Sequence, residues 1–221
     1  MIVVFVESWN NQFKKASFEA VSYARSWANT AGCGVRAITS ASAENANQLA
    51  QYGADEIATL ELAQTGAGIG AQFAGIVGDA QGVVVAGTAM GKIIAPTLAA
   101  LTSGALSTNT TNTPTSTSPV VVERGAFSSK GIETISLSNG MPIISFVPNT
   151  IGIKEEAGAG TTISADAKGL DKLTVNEVSV AAGKVVLPEA EIVVSAGRGL
   201  KGPENWGMIE ELANVLGAAT A

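Results

Sequence analysis

A glycine-rich segment near the end of the chain carries the residues best suited to hold an anion. The segment 197–202, Gly-Arg-Gly-Leu-Lys-Gly, matches the pattern G-x-G-x-x-G after a strand-like apolar run and before a helical pattern. In that context Gly197, Gly199 and Gly202 let the backbone approach a pyrophosphate, and free amides face it. Arg198 adds a planar cation with paired donors. The pattern alone supports a dinucleotide site and a structural turn about equally.

The two other glycine clusters are weaker candidates for a ligand loop. The segment 87–92, Gly-Thr-Ala-Met-Gly-Lys, departs from a P-loop because three residues rather than four separate its glycines and Ile93 follows the lysine. We expect a strand-to-helix turn there, at the end of a parallel strand, where such sheets bind ligands. The segment 66–71 formally matches G-x-G-x-x-A, but no acidic residue about 20 positions on could bind a ribose. We expect a loop and a helix start there.

Composition excludes several classes of site. The 221 residues include no histidine and a single cysteine, Cys33, so histidine-dependent nucleophile systems, histidine-ligated metals and internal disulfides are excluded. We predict no catalytic residue and no metal. A formal net charge of −6 without a basic stripe argues against nucleic acid. No apolar run reaches about 18 residues, and a strand-like run starts at Ile2, so we expect no membrane insertion, no signal peptide and a cytoplasmic protein.

The chain is poor in charge. Charged residues make up 14 % of it and hydrophobic residues 46 %, whereas an average domain carries about a quarter charged residues. This composition predicts a sheet that is buried on both faces or a surface that is covered by a partner.

Strand and helix patterns alternate through the first hundred residues. Strands are predicted at 2–6, 35–38, 56–60 and 82–86, and helices at 13–31, 43–52, around 72–77 and after Gly91, with Pro96 near the first turn of the last one. Short links between such elements predict a mostly parallel sheet with helices on both faces.

The pattern changes after Leu101. The Ser/Thr-rich segment 102–118 is consistent with a linker, but we favour strand because Thr is a good strand former. Strands at 133–137 and 143–147 flank an Asn-Gly turn signal, so we expect antiparallel strands that extend the sheet. Residues 152–188 have weak strand signals and are interpreted as a crossover ending near Pro188.

A second α/β unit begins after the crossover. It has a strand at 192–195, the glycine loop, and a helix with Pro203 at its first position and Gly217 at its end. We expect the next strand beyond Ala221. The predicted domains are therefore residues 1–188 and a truncated unit at 189–221.

These segments resemble a known family. Residues 192–205, with 209–213 and 216–218, closely resemble the opening of the FAD-binding domain of electron transfer flavoprotein α subunits, although Ala196 stands where glycine is common. Residues 3–7 and 83–105 resemble the N-terminal domain of the same subunit. The resemblance covers essentially the whole chain.

The resemblance implies an adenine-nucleotide-hydrolase-like fold in the first domain and a heterodimeric electron carrier rather than an enzyme. An α subunit pairs with a β subunit, its FAD is reduced by acyl-CoA and other dehydrogenases, and a quinone oxidoreductase takes the electrons. The resemblance also places Arg198 near the flavin ring, where a cation stabilises the electron-rich reduced forms. It also assigns AMP to the β subunit.

Later flavin-binding motifs of the family would lie past Ala221. We therefore expect the intact protein to bind FAD and the 221-residue chain to be a fragment that binds it weakly or not at all. Two alternatives are an interaction domain that docks the β subunit, which is compatible with the first reading, and an independent nucleotide-binding domain that uses the turn at Gly87.

Overall fold

A ten-stranded mixed sheet forms the centre of the first of two units. The computed structural model describes residues 1–78, 80–165, 167, 173–178, 187 and 190–221. The first unit is Met1–Val175 and the second is Asn176–Ala221.

The first unit contains twelve strands and three α-helices among the described residues. The strands are β1 (Ile2–Phe5), β2 (Ser8–Trp9), β3 (Gln12–Phe13), β4 (Val35–Ser40), β5 (Glu56–Leu60), β6 (Gly82–Ala86), β7 (Ala105–Thr110), β8 (Ser116–Thr117), β9 (Val120–Ala126), β10 (Gly131–Leu137), β11 (Pro142–Phe146) and β12 (Thr161–Ser164). The helices are α1 (Lys15–Ala31), α2 (Gly66–Ile76) and α3 (Gly91–Thr102), and a 3-10 helix spans Ala46–Tyr52. The sheet order is β10-β9-β7-β11-β6-β1-β4-β5-β12, with β8 beside β9, while β2 and β3 form a separate hairpin.

The parallel centre of the sheet is buried on both faces, as the composition predicts. Side chains alternate along a strand, so Ile2 and Val4 of β1 join the core cluster that contains Trp27 of α1. Val3 and Phe5 join a second cluster, which α2 and α3 cover. The predicted fold class, a mostly parallel α/β sheet extended by antiparallel strands, is confirmed.

The prediction of antiparallel strands is right for one pair and wrong for another. β9 and β10 pair antiparallel over seven residues. β11 does not fold back on β10 through the Asn-Gly turn; it runs parallel to both β6 and β7. Burial explains the difference, because Ile143 and Ile144 are 0 % exposed and belong inside a sheet. Glu133 and Thr134 of β10 are exposed and suit an edge.

Two helix predictions need correction. The helix predicted at 43–52 is the 3-10 helix at Ala46–Tyr52, entered through Asn45 in a left-handed conformation. Pro96 is the sixth residue of α3 and not part of its first turn. Pro96 is exposed, so the carbonyl that loses a backbone donor there can be reached by water.

An extended segment after β11 crosses helix α1 and reaches the edge of the sheet that β12 forms. The carboxylate of Glu19 on α1 accepts hydrogen bonds from the amides of Asn149 (2.7 Å), Ile151 (2.9 Å) and Gly152 (3.0 Å). Further along, the segment enters β12, which pairs parallel with β5. The predicted crossover is thus observed as far as Ala165, and its predicted end near Pro188 lies outside the described residues.

Candidate functional site: the glycine loop of the second unit

The glycine loop lies inside a small strand-helix-strand unit. β13 (Val193–Val194) pairs parallel with β14 (Ala219–Thr220), and α4 (Gly207–Leu216) connects them, ending at Gly217 in a left-handed conformation. The expectation that the next strand lies beyond Ala221 is wrong. That next strand is β14: the amide of Ala219 donates to the carbonyl of Ile192 and the amide of Ala221 to the carbonyl of Val194, which holds β14 beside β13.

The loop follows a different path from the one that the motif predicts. It forms two short 3-10 turns, Arg198–Leu200 and Pro203–Asn205, before α4 begins at Gly207. Pro203 therefore opens the second turn and not the helix. The amide of the Asn205 side chain donates to the carbonyl of Leu200 at 2.7 Å and joins the two turns.

The two turns enclose an open cavity of about 340 Å³. Of the predicted site residues, Gly197, Arg198 and Gly202 line it, whereas Gly199 does not. The full lining is Gly197, Arg198, Leu200, Lys201, Gly202, Pro203 and Trp206. The motif gave no reason to single out Lys201 and Trp206, because their contribution depends on the path of the two turns.

The electrostatics of the cavity favour an anion. Arg198 and Lys201 are both exposed, and neither forms an ion pair within the described part of the chain. The carboxylate of Glu204 folds back against Gly202 without reaching either cation. A Cβ built on Gly197 or Gly199 would meet nothing within 4 Å, so a ligand can approach the backbone there. These residues fit a cofactor that carries phosphates, such as FAD.

At the turn near Gly87, hydrogen bonds within the protein already use the groups that a ligand would contact. The Thr88 hydroxyl donates to a carboxylate oxygen of Glu7 at 2.6 Å and accepts from the amide of Gly91 at 3.0 Å. β1 and β6 are neighbours, so this contact joins the carboxyl ends of two adjacent parallel strands. The Glu7 carboxylate brings negative charge to the edge where a phosphate would have to bind. This geometry disfavours a nucleotide at the turn.

The third glycine cluster has a structural role. Thr65 caps α2, its hydroxyl accepting from the amide of Gly68 at 3.0 Å, so the predicted helix start is confirmed, but the helix already begins at Gly66 and the loop predicted within 66–71 is wrong. A Cβ on Gly66 would contact Ile93, and one on Gly70 would contact Thr97, which shows that the glycines allow α2 to pack closely on α3.

A larger cavity, of about 580 Å³, lies at the β9–β10 hairpin. Its charged groups are matched, because Arg124 Nε donates to a carboxylate oxygen of Glu133 at 2.8 Å. It therefore offers no net charge to a ligand. Elsewhere in the described ranges, no cluster of three or more His, Cys, Asp or Glu residues could hold a metal ion. Among the same residues, no helix combines the length and apolar character that crossing a bilayer requires.

Comparison with known proteins gives two family matches in tandem. Residues 2–182 match the electron transfer flavoprotein domain, and residues 186–221 match the electron transfer flavoprotein FAD-binding domain. The second match contains the whole glycine loop and α4.

Individual relatives extend the same comparison. The electron transfer flavoprotein subunit alpha of Bacillus subtilis (strain 168) is 31 % identical over 99 % of this chain and 70 % of its own length. That of Syntrophomonas wolfei is 28 % identical over 98 % of this chain and 71 % of its own length. A lactate dehydrogenase (NAD(+),ferredoxin) subunit LctC of Acetobacterium woodii is 26 % identical over all of this chain and 56 % of its own length.

Proposed function

The chain belongs to the electron transfer flavoprotein family, among the α subunits, and on that premise we propose that it serves a heterodimeric electron carrier. In this proposal acyl-CoA and other dehydrogenases deliver electrons to FAD, and a quinone oxidoreductase removes them. The observation that carries the proposal is the glycine loop inside the segment that matches the FAD-binding domain, where two cations with no ion-pair partner among the described residues line an open cavity.

FAD would supply the chemistry of accepting and releasing electrons, and the chain would supply its electrostatic surroundings. We propose that the Arg198 guanidinium lies near the flavin ring and favours its electron-rich reduced form, because a fixed cation stabilises developing negative charge. The backbone at Gly197 and Gly199 would let the cofactor approach closely, whereas at Gly202 the Glu204 carboxylate would have to move first. The protein's own groups would bind and tune the cofactor without a catalytic side chain.

The domain roles follow from the same premise. Residues 1–188 would dock the β subunit, and residues 189–221 would contribute to the flavin site. Support for docking comes from α2 and α3, which carry only one charged residue between them, Lys92. Low charge is typical of the buried part of a protein interface. We place the protein in the cytoplasm.

Arg198 provides the sharpest test of the flavin proposal. The chain is co-expressed with its β subunit, FAD is supplied in excess because the chain is expected to bind it weakly, and the flavin content and midpoint potential of the complex are measured for the parent, R198A and R198K. Loss of the cation should make the two-electron potential more negative by about 30–60 mV, which corresponds to about 1.4–2.8 kcal/mol. R198K should fall in between. A flavin-loaded complex with the same potential in all three proteins would refute the role of Arg198.

The alternatives make different predictions. An independent nucleotide-binding domain should bind AMP or ATP at the turn near Gly87, which titration calorimetry of the chain would detect. The Glu7–Thr88 contact leads us to expect no binding there. A pure interaction domain should form the complex with the β subunit, and that complex should take up no flavin even when FAD is in excess.

A further inference from the structure

We propose that Lys201 is a second cationic contact for the cofactor and binds its pyrophosphate. Arg198 remains the residue proposed to act on the flavin ring. This inference rests on the proposed flavin site and adds a residue that the glycine motif does not single out. Three features of the loop carry it: a backbone conformation, an unpaired charge and a shared cavity.

The backbone of Lys201 is held in a conformation that side chains disfavour. Its φ is +68°, in the left-handed region, where it ends the first 3-10 turn. Among the described residues of the second unit, it is the only residue other than glycine with a positive φ. Glycine would adopt this conformation without strain, and glycines stand close by at 199 and 202. Such strained backbone positions are enriched at functional sites.

The charge of Lys201 is also available to a ligand. No carboxylate in the described part of the chain lies within ion-pair distance of its ammonium, and the residue is exposed. Glu204 is the acidic residue nearest in sequence, and its carboxylate packs on Gly202 instead. Within the described part of the chain, the Lys201 ammonium therefore has no carboxylate partner that a ligand would have to displace.

The shared cavity defines the class of ligand. Lys201 and Arg198 line the same open space, and Trp206 lines it as well. The exposed ammonium of Lys201 suits a phosphate oxygen of the ligand, which a pyrophosphate provides and a neutral flavin ring does not. The Trp206 indole is a reporter inside the cavity, because the chemical shift of its N–H changes when a ligand binds nearby.

The experiment is an NMR titration of the ¹⁵N-labelled full chain with three probes: FAD, inorganic pyrophosphate and riboflavin. The Trp206 indole signal is assigned by its absence in W206F. Because the chain is expected to bind FAD only weakly, the probes are added to high concentration, and there we expect saturable shifts of this signal and of the loop amides with FAD and with pyrophosphate. In K201G, affinity for both should fall at least tenfold, affinity for riboflavin should change less than twofold, and Tm should not decrease. K201R should retain affinity within threefold.

A matched control and two contrary outcomes complete the test. K130Q removes one positive charge from the exposed turn of the β9–β10 hairpin and should bind all probes like the parent. If K201G binds FAD and pyrophosphate as tightly as the parent, the role of Lys201 is overturned and the proposed function stands. The same holds if K201G loses as much affinity for riboflavin as for FAD and pyrophosphate. FAD shifts that spare the loop in the parent would instead overturn the proposed flavin site itself.

Discussion

At the scale of single residues, the buried carboxylate of Glu19 holds the segment that follows β11 against helix α1. Its side chain is 1 % exposed, and its carboxylate accepts three backbone amides from the segment after β11. Burying a carboxylate is costly unless such donors satisfy it. Among the described residues these amides have no other acceptor, so each partner depends on the other.

We predict that E19A lowers the free energy of unfolding by about 3 kcal/mol, because it leaves three amides unsatisfied. Glu155 lies on the same segment but is exposed, and E155A should change stability by less than about 0.5 kcal/mol. Urea unfolding of both variants measures the difference. Equal effects of the two substitutions would contradict the assigned role of Glu19.

Tyr23 should make stability depend on pH. Its hydroxyl donates to the backbone carbonyl of Asn112 at 2.6 Å, and its ring stacks on Phe146. Burial raises the pKa of the Tyr23 phenol well above its usual value. The folded state thus keeps a proton that the unfolded state releases above about pH 10, so this stabilisation is complete below pH 10 and is lost as the pH rises.

Y23F should cost about 1 kcal/mol at pH 7 through the lost hydrogen bond. Above about pH 10 the parent should lose stability relative to Y23F, by up to about 1.4 kcal/mol per pH unit. Urea titrations of both proteins at pH 7 and pH 11 test this. A stability difference that is the same at both values would show that Tyr23 does not titrate in the unfolding transition.

At the scale of elements, helix α3 packs so closely on β6 that its first residue must be glycine. A Cβ on Gly91 would collide with the carbonyl oxygen of Ala86, whereas one on Gly75 in α2 would meet nothing within 4 Å. Neither glycine has a positive φ, so the two substitutions differ mainly in the space available.

G91A should therefore destabilise the protein by about 2 kcal/mol or more, and G75A should stabilise it by about 0.5 kcal/mol because alanine is the better helix former. Thermal unfolding of the two variants should shift in opposite directions. A neutral G91A would mean that α3 can move away from the sheet without cost.

Element identity was largely predictable, and pairing was not. The run at Ile2–Phe5 predicts a strand that is buried on both faces, because all four of its side chains are apolar. The position of β11 between β6 and β7 depends on contacts far apart in sequence, and a local Asn-Gly signal cannot encode it. Likewise the motif located the loop that we propose as part of the flavin site, but the left-handed backbone of Lys201 and the place of Trp206 in the cavity lining depend on two turns that the glycine spacing does not specify.

At the scale of the whole molecule, nearly all of the buried apolar side chains belong to the first unit. In the described part of the second unit, only Ala213 and Ala219 are buried hydrophobic residues, and Met208, Leu212, Val215 and Leu216 of α4 are exposed. A small unit with so little core gains little free energy from burial. The core of the first unit is therefore expected to determine the stability of the chain.

We predict that residues 1–175 fold alone with a Tm within about 5 °C of that of the full chain, and that residues 176–221 alone show no cooperative transition. Circular dichroism of the two pieces during heating checks both statements. A large loss of Tm in the first piece would mean that the second unit contributes directly to its stability.

The position of β11 also bears on how the chain is made. Its neighbours β6 and β7 precede it, and about 55 residues separate the end of β6 from the start of β11. At a synthesis rate of about 5–20 residues per second, Val83–Val85 wait on the order of 3–11 s for their partner strand. During that interval a fully apolar strand has an unpaired edge, which is a template for aggregation. The nascent protein is therefore expected to depend on chaperones most while residues 87–141 are being synthesised.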